Sequence, residues 1–195
     1  MRIKLRLTIL LTFLSVSVFG QIELAFKCGI NFAKVKTTDF PSAGNLKYDF
    51  ITPFVFGPSM KLDLSDKVHL NSDFLFTQRG FKINGYKTTI ANVELPVLLS
   101  YSVLKQLDVE LGPDFAFKLF VRSDQSTISD DSYRTIDIGV STGLRYALID
   151  KIILSARYYY GLTSIGSFYN TLSSDSKTYN RVLQFTLGYR LATLK

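Results

Sequence analysis

The 195-residue chain has little of what disulfide-bonded or metal-binding proteins need, because it contains one Cys and one His, and it has no Trp. A single cysteine allows no internal disulfide, and these counts exclude metal centres built from His or Cys clusters. No glycine-rich phosphate-binding loop occurs either. From these two observations together we expect neither a metal nor another cofactor. Five prolines and 12 glycines are too few for a collagen-like or low-complexity chain. The sequence is instead 47% hydrophobic, with 16 Phe and 11 Tyr, which is enough apolar surface for about one folded domain.

Long hydrophobic runs are also absent, apart from one near the start of the chain. Residues 7–19 follow Arg2, Lys4 and Arg6 without an acidic residue, and the run ends at Gly20. This pattern is typical of a secretory signal peptide, and the run is shorter than the about 20 residues of a transmembrane helix. We therefore predict a signal peptide at residues 1–20 and one mature domain at 21–195. Loss of three basic residues lowers the net charge from +7 to +4.

Beyond residue 21, apolar and polar residues alternate with a period of two, which is typical of strands whose two faces differ. At the C-terminal end, for example, Leu183, Phe185 and Leu187 alternate with Gln184 and Thr186. Each predicted strand has at least the about 9–11 residues that a tilted strand needs to cross a membrane. The alternation predicts eight strands, at residues 23–35, 51–64, 67–81, 90–103, 106–121, 134–148, 151–163 and 180–192.

The links between the predicted strands alternate in length. Short turns at 65–66, 104–105 and 149–150 alternate with longer links rich in Ser, Thr, Asp, Asn and Gly, at 36–50, 82–89, 122–133 and 164–179. An even number of strands, with short turns at one end and long polar links at the other, is typical of outer-membrane barrels. We therefore predict an all-β fold, an eight-stranded antiparallel up-and-down transmembrane β-barrel with both termini at the short-turn end.

Alternation alone leaves open which face points outward, and a secreted lipocalin-like barrel with an apolar interior is the alternative. The polar faces carry many small residues and charges of both signs, whereas a water-facing exterior is usually dominated by Lys and Glu. The apolar faces carry few charges and have tyrosines near both ends, like the aromatic girdles of membrane barrels. These tyrosines are Tyr101, Tyr146 and Tyr189 near one end, and Tyr158 and Tyr160 near the other. We therefore expect the apolar face, which includes Cys28, to contact lipid.

The segment NVELPVLLSY at residues 92–101 resembles the Y-x-E-[IL]-P-[LV]-L segment of the PorT-like outer-membrane β-barrel family of Bacteroidetes. Further landmarks resemble that family in order along the chain: GF at 80–81, LGP at 111–113, ARY at 156–158, GLT at 161–163 and LGYRL at 187–191. Leu191 stands where the family usually has a terminal aromatic residue. The resemblance implies an eight-stranded barrel in the outer membrane of a Gram-negative cell envelope. The family's namesake is linked to a secretion pathway for surface proteins.

The inward faces of the predicted barrel carry many charges, although an eight-stranded barrel is only wide enough for side chains to fill. We expect the charges to pair as a structural salt-bridge plug rather than to form a proton or ion path. The candidate site residues are therefore structural charges of the lumen, namely Glu94, Asp114, Asp137, Arg145, Arg157 and Arg190. The other charges predicted to point inward are Lys27, Lys61, Asp63, Asp73, Arg79, Asp108, Glu110 and Lys118.

Glu94 is the best single candidate for a central role inside the barrel. The next inward position is Pro96, whose missing N–H weakens a strand ladder and predicts a bulge. We expect Glu94 to pair with one or more of Arg145, Arg157 and Arg190.

His69 is the only histidine, and it is predicted near the short turn that begins the third strand. A Ser-His-Asp enzyme acting on outer-leaflet lipid would need its catalytic groups near the long links. We therefore expect no catalytic residues and no enzyme activity. The alternatives are a small outer-membrane pore, which the many lumen charges oppose, and an outer-membrane lipid-modifying enzyme, which the position of His69 opposes.

The sequence thus predicts a non-enzymatic outer-membrane protein with a structural, secretion-associated or surface-interaction role through its long links. The expected partners are outer-membrane lipid, the barrel-assembly machinery during insertion, and other envelope or secretion proteins. Basic residues interleaved with aromatic residues follow here from strand alternation, so we expect no nucleic acid partner.

The first testable prediction concerns processing. The basic start, the short apolar run and Gly20 predict that the mature protein begins at Gln21. The intact mass of protein isolated from outer membranes will measure this, and a mass that includes residues 1–20 would contradict it.

Overall fold

The computed structural model describes residues 20–38, 48–83, 85–124, 133–166 and 177–194. The predicted signal peptide lies outside the described residues, except for Gly20. None of the described residues forms a helix that is long and apolar enough to span a membrane. The described strand segments are β1 (Ile22–Thr38), β2 (Tyr48–Asp49), β3 (Phe54–Asp63), β4 (Val68–Asp73), β5 (Leu75–Ile83), β6 (Tyr86–Leu104), β7 (Leu107–Ser123), β8 (Ile136–Ile149), β9 (Ile152–Gly161) and β10 (Lys177–Leu194).

The strands form one antiparallel ring with eight positions, because β4 and β5 follow one another in a single position and β2 precedes β3. Pairing of β1 with β10 on one side and with β3 on the other closes the ring. Each of the eight predicted strands is found, with ends displaced by a few residues. The prediction of an all-β, eight-stranded, up-and-down barrel is therefore confirmed.

Two of the predicted strands are interrupted where proline or glycine disturbs the ladder. In the predicted strand 67–81, Phe74 separates β4 from β5, and its N–H donates to the carbonyl of Pro58 at 2.9 Å. A side chain at Gly57 would overlap the carbonyl oxygen of Phe74, so only glycine permits this close approach. The bulge predicted near Pro96 is not found, because the register shifts of β6 lie between Ala91 and Asn92 and between Ser102 and Leu104. The neighbouring ladder is instead interrupted opposite Pro96, at Phe74, without an extra residue on either strand.

The predicted strand 51–64 begins as a regular strand only at Phe54. Ile51 still bridges Ala33 of β1, and the N–H of Asn31 donates to the carbonyl of Pro53 at 2.7 Å. Pro53 has no N–H to return, so the ladder is irregular here although the alignment with β1 continues.

The link predicted at 82–89 is wrong, because β5 and β6 remain paired up to Ile83 and Tyr86. Gly85 has a φ of 91°, a conformation that a hairpin turn requires and that glycine adopts without strain. The dipeptide Asn84-Gly85 is a strong hairpin signal. The prediction of a long link at 82–89 relied on the alternation of link lengths and did not use this signal. Of the other three long links, residues 39–47, 125–132 and 167–176 lie outside the described residues.

A bulge reverses the faces at the end of β7. Asn92 of β6 pairs with Lys118 and Ala91 pairs with Phe120, so Leu119 has no partner. Leu119 is exposed, as expected for the apolar outward face, but Val121 packs inside the barrel while Phe120 is exposed, which is the opposite of the alternation that the sequence predicts for these two residues. One extra residue in a strand shifts the period of two by one position, and composition alone did not reveal this shift.

The outward face of the ring is apolar and the inward face is polar, as predicted for a barrel in lipid. Cys28 is exposed on the outward face. The girdle tyrosines Tyr101, Tyr146, Tyr158, Tyr160 and Tyr189 are also exposed. The outward apolar residues include Phe26, Ile30, Phe54, Phe56, Val97, Leu99, Leu111, Leu144, Leu154, Leu183, Phe185 and Leu187.

The second testable prediction concerns orientation, with the short turns in the periplasm and the β5–β6 hairpin outside. In a Cys28→Ser background, Lys87→Cys should react with a membrane-impermeant maleimide on whole cells, since Lys87 is exposed beside that hairpin. Asp66→Cys, in the short turn before β4, should react only after the outer membrane is permeabilised. The reverse labelling pattern would invert the orientation.

Candidate functional site: the barrel interior

The interior is filled by layers of side chains between the long-link end and the short-turn end. We name them the apolar cap (Val35, Phe81, Ile90, Tyr133 and Ile165), the outer charge cluster (Arg79, Glu94, Asp114 and Asp137), the central charge cluster (Lys27, Asp73, Glu110 and Arg157) and the short-turn charge cluster (Glu23, Lys61, Asp63, His69, Asp108, Arg145 and Arg190).

In the outer charge cluster, one guanidinium faces three carboxylates. Arg79 lies 2.9 Å from Glu94, 3.1 Å from Asp137 and 4.0 Å from Asp114, and all four side chains are almost fully buried. The prediction that Glu94 pairs with Arg145, Arg157 or Arg190 is therefore wrong, because its partner is Arg79 on the neighbouring strand. In the strand register, Glu94 is level with Ala116 and Asp137, whereas Arg145 lies eight residues from Asp137 along β8, about 26 Å at the usual strand rise.

Polar neighbours and one aromatic ring complete the outer charge cluster. Ser141 donates to Asp114 at 2.6 Å, and Asn180 donates to Asp137 at 2.8 Å. The guanidinium of Arg79 also stacks 3.8 Å from the ring centroid of Tyr159. Because a buried charge is costly without partners, these contacts hold the cluster in one arrangement.

The central charge cluster has two cations and two anions. Lys27 lies 3.0 Å from Asp73, and Nε of Arg157 lies 2.8 Å from Glu110. Arg157 also contacts Asp73, so it joins both carboxylates, and Asn71 donates to Glu110 at 2.6 Å. Formal charges of opposite sign are therefore equal in this layer.

The short-turn charge cluster contains two of the predicted arginines. Arg145 contacts Glu23 and lies 3.3 Å from Asp108, while Arg190 lies 2.7 Å from Glu23. Arg190 is only partly buried and also donates to the backbone carbonyl of Asp150 in the last short turn. Arg190 therefore lies at the mouth of the barrel rather than deep inside it.

His69 lies in a chain of polar contacts that sequence reasoning missed. Its Nδ1 lies 2.7 Å from Asp63, its Nε2 lies 2.9 Å from the hydroxyl of Ser102, and that hydroxyl donates to Asp108 at 2.6 Å. The order Asp-His-Ser resembles a catalytic triad, but the hydroxyl proton points to Asp108. The hydroxyl proton is thus directed to Asp108 and not to Nε2, which is opposite to the arrangement that a general base requires.

The apolar cap closes the interior at the long-link end. Tyr133 and Ile165 come from the links around β8 and β9, and they are buried against Phe81, Ile90 and Val35 of the strands. Burial raises the pKa of Tyr133, so its phenol stays neutral. The sequence signal for this cap is the presence of apolar residues, here Tyr133 and Ile165, within otherwise polar links.

The six predicted site residues are thus distributed over three layers and do not form one site. Glu94, Asp114 and Asp137 meet around Arg79, Arg157 lies in the central layer, and Arg145 and Arg190 share Glu23. In the part of the chain that the structure describes, no group of three or more His, Cys, Asp or Glu residues is arranged to hold a metal ion. The arrangement fixes charges in place and fills space.

Comparisons with known proteins agree with this architecture. The model of the family described as "Outer membrane protein beta-barrel domain" matches residues 15–167. Neisserial surface protein A has a TM-score of 0.51 at 19% identity, over 86% of this chain and 96% of that chain. Ail, the attachment invasion locus protein of Yersinia pestis, has a TM-score of 0.48 at 14% identity, over 89% of this chain and 100% of that chain. Escherichia coli outer membrane protein W has a TM-score of 0.45 at 14% identity, over 87% and 97%. None of the curated proteins matches the sequence.

The third testable prediction concerns Arg79. Arg79→Met removes the cation shared by three buried carboxylates, so the free energy of unfolding should fall by about 3–5 kcal/mol. Urea titration of the folded barrel in detergent will measure this change. Arg122→Gln is the matched control, because Arg122 is exposed on β7 and its loss should change stability by no more than about 0.5 kcal/mol. Equal effects of the two substitutions would contradict the role of the outer charge cluster.

Proposed function

The chain belongs to the outer membrane protein β-barrel domain family, and we propose that it is a non-enzymatic barrel with a closed interior that acts through its exposed links. In this proposal the buried charges, including Glu94, Asp114, Asp137, Arg145, Arg157 and Arg190, are structural. The protein resides in the outer membrane, where its apolar exterior contacts lipid. The role of the links is a surface-interaction or secretion-associated one.

The observation that carries the proposal is the filling of the described lumen from the apolar cap to the central charge cluster; a recess of about 180 Å³ opens at the short-turn mouth, beside His69 and Arg145. The apolar cap lies above the outer charge cluster, and a second apolar cluster, in which Tyr159 packs beside Ile51 and Val182, borders Arg79 through the stacked ring of Tyr159. A water-filled channel needs a continuous polar path, which the buried cap interrupts. This supports a closed barrel over a small outer-membrane pore.

The chain Asp63–His69–Ser102 favours one second candidate, an ester hydrolase acting at the short-turn end. The opposing observation is that Ser102 donates its proton to Asp108, so the hydroxyl is not activated by His69. The network also joins β3, β4, β6 and β7 at the barrel mouth, which supports a structural role for it.

We also propose the finer assignment to the PorT-like members of Bacteroidetes. The support is the order of the landmark segments at 80–81, 92–101, 111–113, 156–158, 161–163 and 187–191. This assignment includes three further proposals. The signal peptide at 1–20 directs export, the barrel-assembly machinery inserts the protein, and the long links contact other envelope or secretion proteins.

The fourth testable prediction separates the closed barrel from the pore and the enzyme. Purified protein in planar bilayers should show no steady ion-selective conductance, because the cap and the charge clusters fill the lumen. It should also not hydrolyse or transfer acyl chains of outer-membrane lipid. Replacing residues 125–132 with a short Gly-Ser turn should leave the barrel folded, as measured by heat-modifiable gel migration, while reducing crosslinks to neighbouring envelope proteins in whole cells.

Two controls make these outcomes decisive. Tyr133→Gly with Ile165→Gly thins the cap and tests whether the bilayer assay detects an opened lumen. His69→Ala and Ser102→Ala should leave any background lipid turnover unchanged. A reproducible channel in the unmodified protein, turnover lost in either of these variants, or crosslinks that the altered link does not affect would overturn the corresponding part of the proposal.

A further inference from the structure

An arginine on the outward face of the barrel is buried outside the lumen. Arg181 lies on β10 between the inward residues Asn180 and Val182, and its side chain points to the lipid side, where it stacks on the outward Tyr160. It is only 7% exposed, and its guanidinium carbon lies 3.5 Å from the ring centroid of Tyr160 and 5.9 Å from that of Tyr179. The outward face below it is apolar, so this charge is an exception that needs a physical reason.

Two further cations lie beside Arg181 on the same face. Lys34 of β1 is its direct cross-strand partner, and Lys36 lies opposite Tyr179. Like charges directly opposite one another in a sheet destabilise the pair. Among the described residues, no carboxylate forms an ion pair with Lys34, Lys36 or Arg181; the guanidinium donates to the backbone carbonyls of Gly161 and Asn180 at 2.9 and 2.7 Å.

These contacts orient Arg181, and within the described parts of the chain no carboxylate neutralises its charge. Stacking on tyrosine and bonds to carbonyls stabilise a cation without neutralising it. A cluster of three cations at the border of a low-dielectric layer therefore favours binding of an anion.

Two of these cations, Arg181 and Lys36, line an open recess that an anion could occupy, while Lys34 lies beside Arg181 outside the lining. A recess of about 240 Å³ is lined by Lys36, Tyr160, Gly161, Leu162, Tyr179 and Arg181. Arginine presents several N–H donors in a planar fork that matches the oxygens of a phosphate group. The recess is thus positively charged, partly aromatic and bordered by the exposed Leu162.

The height of the recess on the barrel identifies where the anion comes from. Below Arg181 on the same face of β10 lie Leu183, Phe185, Leu187 and Tyr189, the last of which is a girdle residue at the short-turn end. Arg181 and Tyr189 are eight residues apart, which is about 26 Å along a strand and about 20 Å along the barrel axis at a tilt of about 40°, most of the about 25 Å height of the apolar band of an outer-membrane barrel. Arg181 therefore lies at the border between the hydrocarbon and the headgroups of the leaflet at the long-link end.

We propose that Arg181, Lys34 and Lys36, together with Tyr160 and Tyr179, form a site for the phosphorylated headgroup of a lipid in that leaflet. The phosphate lies in the recess against Arg181 and Lys36, with Lys34 beside it on β1, and the acyl chains lie along the apolar face near Leu162 and Leu183. This site is independent of the closed lumen and of any partner of the links.

The fifth testable prediction measures binding of one lipid to the full mature chain. Native mass spectrometry in a non-ionic detergent, with phosphatidic acid as the probe, should detect a bound lipid. The same experiment with diacylglycerol, which has the chains without the phosphate, should detect much weaker binding. Lys34→Gln with Lys36→Gln should weaken phosphatidic acid binding by about tenfold or more, since charge-assisted contacts are lost.

The controls distinguish a built site from general surface charge. Arg122→Gln removes an exposed outward cation three ring positions away from β10 and should change affinity by less than about twofold. The lysine variants keep Arg181 in place, and heat-modifiable migration will verify that they fold; Arg181→Gln is added if it folds. Equal loss of binding in Arg122→Gln, equal binding of diacylglycerol, or equal affinity for soluble glycerol phosphate would overturn the lipid headgroup site.

Discussion

The pairing of β1 with β10 is the constraint on which the rest of the structure depends. This ladder runs from Ile22 opposite Leu194 to Thr38 opposite Lys177, so the first and last strands leave no open edge. Within a bilayer an open edge would leave backbone groups without hydrogen bonds, which costs several kcal/mol for each group. Closure of eight strand positions also makes the interior narrow, and a narrow interior has room for side chains but little room for water.

That narrow interior explains why the inward charges form layers. Each charged side chain must find a partner at about its own height, because strand neighbours hold it there. Arg157 can therefore join Asp73 and Glu110, and Arg145 can reach Glu23 and Asp108, although these residues are far apart in the sequence. The apolar cap removes water from above the outer charge cluster and strengthens the interactions of Arg79 with its carboxylates.

The exterior obeys a different rule, since lipid accepts apolar residues and rejects unpaired charge. The outward face follows this rule from Leu183 to Tyr189 on β10, and the buried Arg181 departs from it at the border of the apolar band. The irregular positions of the ring, at Pro53, Phe74 and Leu119, change the local ladder or the direction of side chains without opening the barrel. They are tolerated because the neighbouring strands remain paired on both sides of each interruption.

The sequence by itself determined the all-β class, the eight strands and the polar inward face. These properties follow from a period of two and from the contrast between apolar and charged residues, which are local and visible in the chain. The dipeptide Asn84-Gly85 also indicates the hairpin between β5 and β6. Only the tertiary structure decided that Glu94 meets Arg79, that Ser102 and Asp63 enclose His69, and that Tyr133 and Ile165 close the interior. The physical reason is that strand stagger and a one-residue bulge at Leu119 set which inward residues share a height, and neither quantity is encoded in any single strand's alternation.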